Sequence, residues 1–224
     1  MKPYSLLIFD WDGTLMDSAA HITRCMSNAI AHVGAESRSD AQIRDIIGLG
    51  LDEAVQQLYP DATPHLCRDI VHEYRQEFLV RSTHGSELFT GARETLMQLM
   101  QQGYDLAIAT GKSRRGLDKV LAETGLAPYF PITRCADETR SKPHPQMLEE
   151  ILTDFNAKPS DALMIGDSEY DLLMANNLKM DALAVSYGVH SLQRLLQYQP
   201  RGYVHSVADI PQWLTQIMEN KDKQ

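Results

Sequence analysis

Short apolar runs alternate with amphipathic segments along most of this chain. The first run, at residues 6–9, has four apolar residues in succession, which is typical of a buried strand. Similar runs predict further strands at residues 104–109, 162–167 and 183–185, and residues 131–134 are a candidate for a short strand. Between these runs apolar residues recur at helical spacing, so strand and helix alternate after residue 90. This alternation predicts an α/β fold, a doubly wound parallel sheet with helices on both faces.

The stretch from residue 17 to residue 83 has a different pattern. No run within it resembles a strand, and its apolar residues follow helical spacing. Ser39 and Thr63 precede two of these periodic segments and are suited to begin helices as N-caps. We therefore expect a discontinuous α/β core of residues 1–16 and 84–224, with an all-helical domain of residues 17–83 inserted after the first strand.

Acidic residues outnumber basic ones in this sequence. The 224 residues include 30 Asp and Glu against 21 Lys and Arg, which gives a formal net charge of −9. A field of this sign repels polyanions, so we expect neither nucleic acid nor an anionic membrane as a partner. No apolar run has the length of a signal peptide or of a membrane span, and we therefore expect a cytoplasmic protein.

The first predicted strand runs directly into two carboxylates. Asp10 and Asp12 occupy alternate positions and are followed by Gly13. Alternate residues of an extended chain point to the same side, where two like charges repel unless a cation or a shared proton compensates. A solvated acidic turn and a metal and phosphate site both fit this pattern, and the segment alone leaves the choice open.

Polar groups also lie at the ends of two later strands. Thr110 follows the run at residues 104–109, Asp167 ends the run at residues 162–167, and Lys142 lies in the loop ahead of the latter. Doubly wound sheets bind ligands beyond the carboxyl ends of their strands, so we expect these groups to meet the two N-terminal acids. Carboxylates with a hydroxyl and an amine suit Mg²⁺ and a substrate phosphate. The matching chemistry is phosphoryl transfer.

Four segments in sequence order carry a family resemblance. They are residues 10–14 (DWDGT), 110–112 (TGK), 142–145 (KPHP) and 166–171 (GDSEYD). Together they resemble the ordered motifs of the haloacid dehalogenase superfamily, and the helical insert resembles the small C1 cap of its phosphoglycolate phosphatase-like branch. The resemblance covers nearly the whole chain and implies the core-and-cap fold of that superfamily.

The resemblance implies a separate role for each acid. Asp10 would be the nucleophile that forms an aspartyl-phosphate, and Asp12 would exchange protons with the leaving group and then with water. Mg²⁺ would be the cofactor, held by the Asp10 carboxylate, the Asp12 backbone carbonyl and Asp167. Asp171 would support these ligands or replace one of them.

Further residues would face the substrate. By the same resemblance, Thr110, the Gly111 amide and Lys142 would bind the phosphoryl oxygens and stabilise the transition state. Gly48 and Gly50 flank a segment that resembles the cap loop that closes over substrate in related phosphatases. A flexible junction between helices is an equally good interpretation of this glycine pair.

Four basic residues each have two possible roles in the sequence. Lys112, Arg114 and Arg115 begin the helix after Thr110, where they would either recruit phosphate or form a solvated, charged helix start. Arg75 on the cap would either meet a substrate carboxylate or lie on the wet face of its helix.

The leading functional prediction is a Mg²⁺-dependent phosphatase acting on a small phosphorylated metabolite, with phosphoglycolate favoured by resemblance. A β-phosphoglucomutase-like isomerase keeps both acids and a similar cap, so the motifs leave it open. A receiver domain with a phosphorylated Asp is less favoured, because such a domain lacks a helical cap after its first acid. A silent binding protein is disfavoured because every motif position is chemically intact. The sequence does not specify an oligomeric state.

Overall fold

The sheet at the centre of the molecule has six parallel strands. The computed structural model describes residues 2–81 and 86–221. In chain order its strands are β1 (Leu6–Phe9), β2 (Met16–Asp17), β3 (Glu87–Leu88), β4 (Asp105–Thr110), β5 (Ile132–Cys135), β6 (Ala162–Gly166), β7 (Asp181–Val185) and β8 (Gly202–Val204). The order across the sheet is β5-β4-β1-β6-β7-β8, and every neighbouring pair is parallel. The predicted doubly wound parallel sheet is confirmed.

Ten α-helices are found in the part of the chain that the structure describes. They are α1 (Ala19–His32), α2 (Asp40–Asp45), α3 (Leu51–Leu58), α4 (Pro64–Gln76), α5 (Ala92–Gln101), α6 (Arg114–Thr124), α7 (Gln146–Asp154), α8 (Glu169–Asn177), α9 (Leu192–Leu195) and α10 (Ile210–Lys221). The side chains of Ser39 and Thr63 accept hydrogen bonds from the first turns of α2 and α4, as predicted. A π-helical segment, Glu77–Arg81, continues α4.

The core forms because alternate residues of β1 point to opposite faces of the sheet. Leu7 and Phe9 pack on one face with apolar residues of α5, α6 and α10. Leu6 and Ile8 pack on the other face with apolar residues of α7 and α8. All four side chains are at most 1% exposed. Burial on both faces explains why β1 is a continuous apolar run.

The helices between β2 and β3 have a core of their own. Met26 and Ile30 of α1 pack with Ile43 of α2, Val55 of α3 and Ile70 of α4. Since all of these elements derive from the inserted stretch, the helical cap expected from the sequence is present. Its predicted boundaries remain a prediction, and the one between residues 83 and 84 lies outside the described residues.

Four short elements, β2, β3, α9 and β8, were not predicted from the sequence. β2 and β3 form a two-stranded antiparallel ribbon where the chain leaves and re-enters the core, so the expectation of no strand at Asp17 was wrong. Strands of two residues are too short to show a period in the sequence. The four-residue α9 and the three-residue β8 were not predicted because they are also too short to show a period in the sequence.

None of the helices in the described ranges is both long and apolar enough to cross a lipid bilayer.

The central position of β6 leads to a stability prediction. Leu163 lies near the start of β6, away from its carboxyl end, and is fully buried. Leu163→Ala leaves a cavity and is expected to lower the free energy of unfolding by about 2–5 kcal/mol, measured by denaturant titration. Met97→Ala on α5, where the side chain is 43% exposed, is the control and should change it by about 0.5 kcal/mol or less. A loss below about 1 kcal/mol for Leu163→Ala would contradict the described packing.

Candidate active site

Parallel pairing brings the polar strand ends to one edge of the sheet. Phe9, the last residue of β1, is in register with Ile108 of β4 and Ile165 of β6. The chain continues from β1 into Asp10, whose backbone N–H donates a 2.9 Å hydrogen bond to the carbonyl of Ile165. Thr110 ends β4, and Asp167 follows β6 at the same edge. The predicted meeting of these residues is present in the fold.

Lys142 forms the charged centre of this edge. Its side chain is fully buried, and its Nζ lies 2.8 Å from Asp10 Oδ1 and 2.6 Å from Asp171 Oδ1. Burial opposes the lysine charge, but the carboxylates of Asp10 and Asp171 outweigh it and raise the pKa of Lys142. The two carboxylates therefore favour the charged form of Lys142.

The Asp10 carboxylate accepts fewer hydrogen bonds than those of Asp167 and Asp171. Although it is paired with Lys142 by distance, neither of its oxygens accepts a well-oriented hydrogen bond from the part of the chain that is described. Burial raises the pKa of Asp10 well above its usual range, and the charges of Asp171 and Asp167 add to this despite Lys142. Two buried oxygens that accept no well-oriented hydrogen bond indicate a carboxylate that a positive group besides Lys142 would complete.

Asp167 is held rigidly below the turn that follows β1. The Thr14 hydroxyl donates to its Oδ1 at 2.7 Å, and the Val189 backbone N–H donates to its Oδ2 at 2.8 Å. A Cβ on Gly13 or Gly188 would overlap the carboxylate, and Gly13 also has a positive φ of 81°. Burial, with the charge of Asp171, raises the pKa of Asp167 to about 7.

The residues of this edge fit a divalent cation. One carboxylate oxygen from each of Asp10, Asp167 and Asp171 lies within 4.8 Å of the others, and all three residues are buried. Three acids face the single ammonium of Lys142, so the cluster lacks positive charge. Mg²⁺ takes oxygen ligands and would supply that charge. Asp171 also accepts hydrogen bonds from the Ser168 hydroxyl and backbone N–H, at 2.6 and 3.1 Å.

Asp12 contacts a second buried lysine, Lys112, a pairing that the sequence did not predict. Lys112 Nζ lies 2.9 Å from its Oδ1 and 2.8 Å from its Oδ2, and the Ser18 hydroxyl donates to Oδ1 at 2.6 Å. The side chains of Lys112 and Asp12 are only 7% and 10% exposed. Of the two interpretations of Lys112, the solvated helix start is therefore wrong. The position of Lys112, two residues after Thr110, indicated that it lies near the site, but nothing in the sequence identified Asp12 as its partner.

The neighbouring arginines lie away from this pair. Arg114 donates to Glu138 at 2.9 and 2.8 Å, and its backbone N–H donates to Asp137 at 2.8 Å. Arg115 is exposed. Neither lines the cavity above Asp10.

The segment from Gly48 to Gly50 lies directly on the core. A Cβ on Gly111 would overlap the backbone carbonyls of Gly48 and Leu49, and a Cβ on Gly48 would come within 2.8 Å of Ser168 Oγ. The Gly50 N–H donates a 2.7 Å hydrogen bond to the Ser141 hydroxyl. The two glycines therefore allow close contact between the cap and the residues beside Thr110 and Lys142. A role in closing over substrate remains a prediction.

A cavity of about 120 Å³ lies between the cap and the sheet edge. Asp10, Asp12 and Thr110 are among the core residues that line it. Its cap wall is mostly apolar and includes Ile22, Met26, Ile47, Leu49, Leu51, Tyr74 and Phe78. Arg75 and Lys112 are the cationic side chains that line it within the described ranges, and Arg75 lies 3.4 Å from Asp52.

Comparison with known proteins gives the same family as the motifs. The model of the family described as haloacid dehalogenase-like hydrolase matches residues 7–185. A protein of Vibrio cholerae named phosphoglycolate phosphatase is 30% identical over 209 residues, covering 89% of this chain and 92% of that protein. A protein of Dickeya dadantii named "Probable phosphatase IndB" is 31% identical over 216 residues, covering 94% of this chain and 92% of that protein.

Solved structures support the fold. A phosphatase from Clostridium acetobutylicum, described as predicted, has a TM-score of 0.84 at 25% identity and covers 96% of this chain and 99% of its own. A hydrolase from Pseudomonas syringae reaches a TM-score of 0.87 at 22% identity with the same coverage, and its similarity concerns the fold alone. With a family model that spans most of its length and relatives that align over nearly all of it, the chain belongs to the haloacid dehalogenase-like hydrolases.

Proposed function

We propose that this protein is a Mg²⁺-dependent phosphatase that hydrolyses a small phosphate monoester through an aspartyl-phosphate on Asp10. The observation that carries the proposal is the Asp10 carboxylate, which lines the cavity while neither of its oxygens accepts a well-oriented hydrogen bond from the described chain, although Lys142 Nζ lies 2.8 Å from Oδ1. A carboxylate in that state is available as a nucleophile. The phosphatase names of the two relatives from Vibrio and Dickeya support the same reaction class.

In the first step, an Asp10 oxygen forms a bond to phosphorus as the ester oxygen leaves. The leaving oxygen takes a proton from Asp12 and departs as an alcohol. In the second step, water gives a proton to Asp12 and its oxygen attacks the same phosphorus, so that the bond to Asp10 breaks and inorganic phosphate is released. Asp12 thus ends the cycle protonated, as it began.

The proposed metal ligands are the Asp10 carboxylate, the Asp12 backbone carbonyl and Asp167. Asp171 binds Lys142, which in turn contacts Asp10, and its carboxylate is an alternative metal ligand because one of its oxygens lies within 4.8 Å of those of Asp10 and Asp167. Mg²⁺ bound there supplies positive charge that reduces the repulsion between the carboxylate nucleophile and the phosphate dianion.

Thr110, the Gly111 N–H and Lys142 are the proposed phosphate ligands. Lys142 is already 2.8 Å from Asp10, so phosphate transferred to Asp10 would lie beside a fixed ammonium. The contact of Gly111 with the cap loop at Gly48 supports closure of the cap over this site, which excludes water other than the attacking molecule.

The substrate is proposed to be a small phosphorylated metabolite, with phosphoglycolate as the first candidate because the relative from Vibrio cholerae carries that name. A mutase would isomerise a sugar phosphate without net release of phosphate, so phosphate release separates the two reactions. A cytoplasmic location remains a prediction from the sequence.

Asp10→Asn tests the nucleophile. With Mg²⁺ present, we expect wild-type protein to release phosphate from a panel of glycolate, nucleoside, sugar and amino-acid phosphates. Asp10→Asn should lower kcat by about three orders of magnitude or more, because the amide does not form the covalent intermediate. Asp105→Asn at the exposed start of β4 is the matched control and should keep wild-type activity.

The same assay tests the metal. A chelator should abolish wild-type release and added Mg²⁺ should restore it. Wild-type rates from Asp10→Asn, after mass spectrometry has excluded deamidation to Asp, would remove Asp10 from the mechanism.

Arg75→Met tests phosphoglycolate as the substrate. The glycolate carboxylate needs a cation in the cavity. Lys112 is buried in its pair with Asp12, whereas the pair of Arg75 with Asp52, at 3.4 Å, is exposed to solvent and leaves Arg75 available. Arg75→Met is therefore expected to lower kcat/KM for phosphoglycolate about 10-fold or more, and to change kcat/KM for ethyl phosphate, which lacks a carboxylate, about twofold or less. Arg68→Met, at an exposed position of α4, is the control. Equal losses on both substrates would argue against carboxylate recognition by Arg75.

A further inference from the structure

Two buried lysines contact different acids of the site. Lys142 contacts Asp10 and Asp171, on the side where the proposed metal ligands meet. Lys112 contacts Asp12 alone among the described carboxylates, through both of its oxygens. The proposed function gives Lys142 a phosphate to bind and leaves Lys112 without a role. Burying an ammonium costs desolvation free energy, so a buried lysine that is paired with a single carboxylate points to a function for that pair.

Lys112 is held on a second side by the cap. Its Nζ lies 4.7 Å from the centroid of the Phe78 ring, within the range of a cation–π contact. Phe78 is in turn stacked with Tyr74 of α4, at a centroid distance of 5.7 Å. The ammonium therefore lies between a core carboxylate and an aromatic ring of the cap.

The Lys112 contact also fixes the direction of the Asp12 carboxylate. Both Asp12 oxygens contact the same nitrogen, and the Ser18 hydroxyl donates to Oδ1. Asp12 and Lys112 both line the cavity. An acid that must reach the leaving oxygen benefits from one fixed orientation, because small misplacements are costly in proton transfer.

We propose that Lys112 is a positioning residue for Asp12, which acts by holding the Asp12 carboxylate toward the leaving oxygen while Phe78 of the cap holds Lys112. The inference rests on the proposed phosphatase function. Its effect is on the proton that Asp12 gives to the departing alcohol, so loss of Lys112 weakens that transfer and leaves phosphate binding largely intact.

The choice of leaving group separates this role from phosphate binding. Nitrophenolate leaves without a proton, whereas an alkoxide needs one. The ratio kcat/KM reports the first irreversible step, in which the alcohol departs, and is therefore insensitive to the later attack by water. A residue that acts through Asp12 affects alkyl phosphates selectively, and a residue that binds phosphate affects both substrates alike.

The experiment compares kcat/KM for ethyl phosphate and p-nitrophenyl phosphate, with Mg²⁺ present. Lys112→Met is expected to lower the value for ethyl phosphate about 10- to 100-fold and that for p-nitrophenyl phosphate about threefold or less. Lys112→Arg keeps a cation beside Asp12 and should retain the ethyl phosphate value within about fivefold. Lys119→Met, at an exposed position of α6, the helix that follows Lys112, is the control and should match the wild type.

Two combined variants complete the test. In an Asp12→Asn background, Lys112→Met should cause no further selective loss, because the two residues act as one unit. Phe78→Leu should give a weaker loss of about threefold on ethyl phosphate, and that loss should disappear in the Lys112→Met background.

Equal losses on both substrates, or full additivity with Asp12→Asn, would overturn the role of Lys112 while leaving the phosphatase proposal intact. If the wild-type protein released phosphate from neither substrate nor from phosphoglycolate, the phosphatase proposal itself would fail. If Lys112→Met did not fold, as judged by circular dichroism, Lys112→Arg and Phe78→Leu would carry the test, and the absence of a selective loss in Phe78→Leu would overturn the proposed link to the cap.

Discussion

The repulsion between buried carboxylates is the constraint on which this site depends. Asp10, Asp167 and Asp171 converge at the carboxyl edge of the sheet because β1 and β6 are adjacent and parallel. Lys142 offsets part of that charge, and the raised pKa values of Asp10 and Asp167 follow from the burial and repulsion that remain. A cation bound among three acids this close would offset their repulsion, and Mg²⁺, which takes oxygen ligands, is the cation that we propose.

Glycines around the site allow the acids and the cap loop to approach closely. Gly13 and Gly188 leave space for the Asp167 carboxylate, where any side chain would collide with it. Gly111 likewise lets the cap loop approach the core. The cap is inserted directly after the first motif, and the ribbon of β2 and β3 lies where the chain passes between core and cap, so the proposed closure of the cap would act close to Asp10 and Asp12.

The sequence predicted the sheet and the meeting of its polar ends, but not all of the contacts among them. Buried parallel strands are continuous apolar runs, so their ends could be located, and parallel pairing required Asp10, Thr110 and Asp167 to share an edge. The pair of Lys112 with Asp12 joins residues 100 positions apart through side chains in turns, whose directions depend on tertiary packing. No local period reports such a contact, and the same holds for Arg75 beside the cavity.

The central claim is that the phosphoryl group passes through Asp10, and trapping that intermediate tests it most directly. Wild-type protein would be mixed with Mg²⁺ and a radiolabelled phosphate monoester that it hydrolyses, quenched in acid within milliseconds, digested and sequenced by mass spectrometry. We predict label on the peptide that contains Asp10, at that residue, with lability to hydroxylamine as expected for an acyl phosphate. Phosphate release without any labelled peptide, or label at another residue, would contradict the claim.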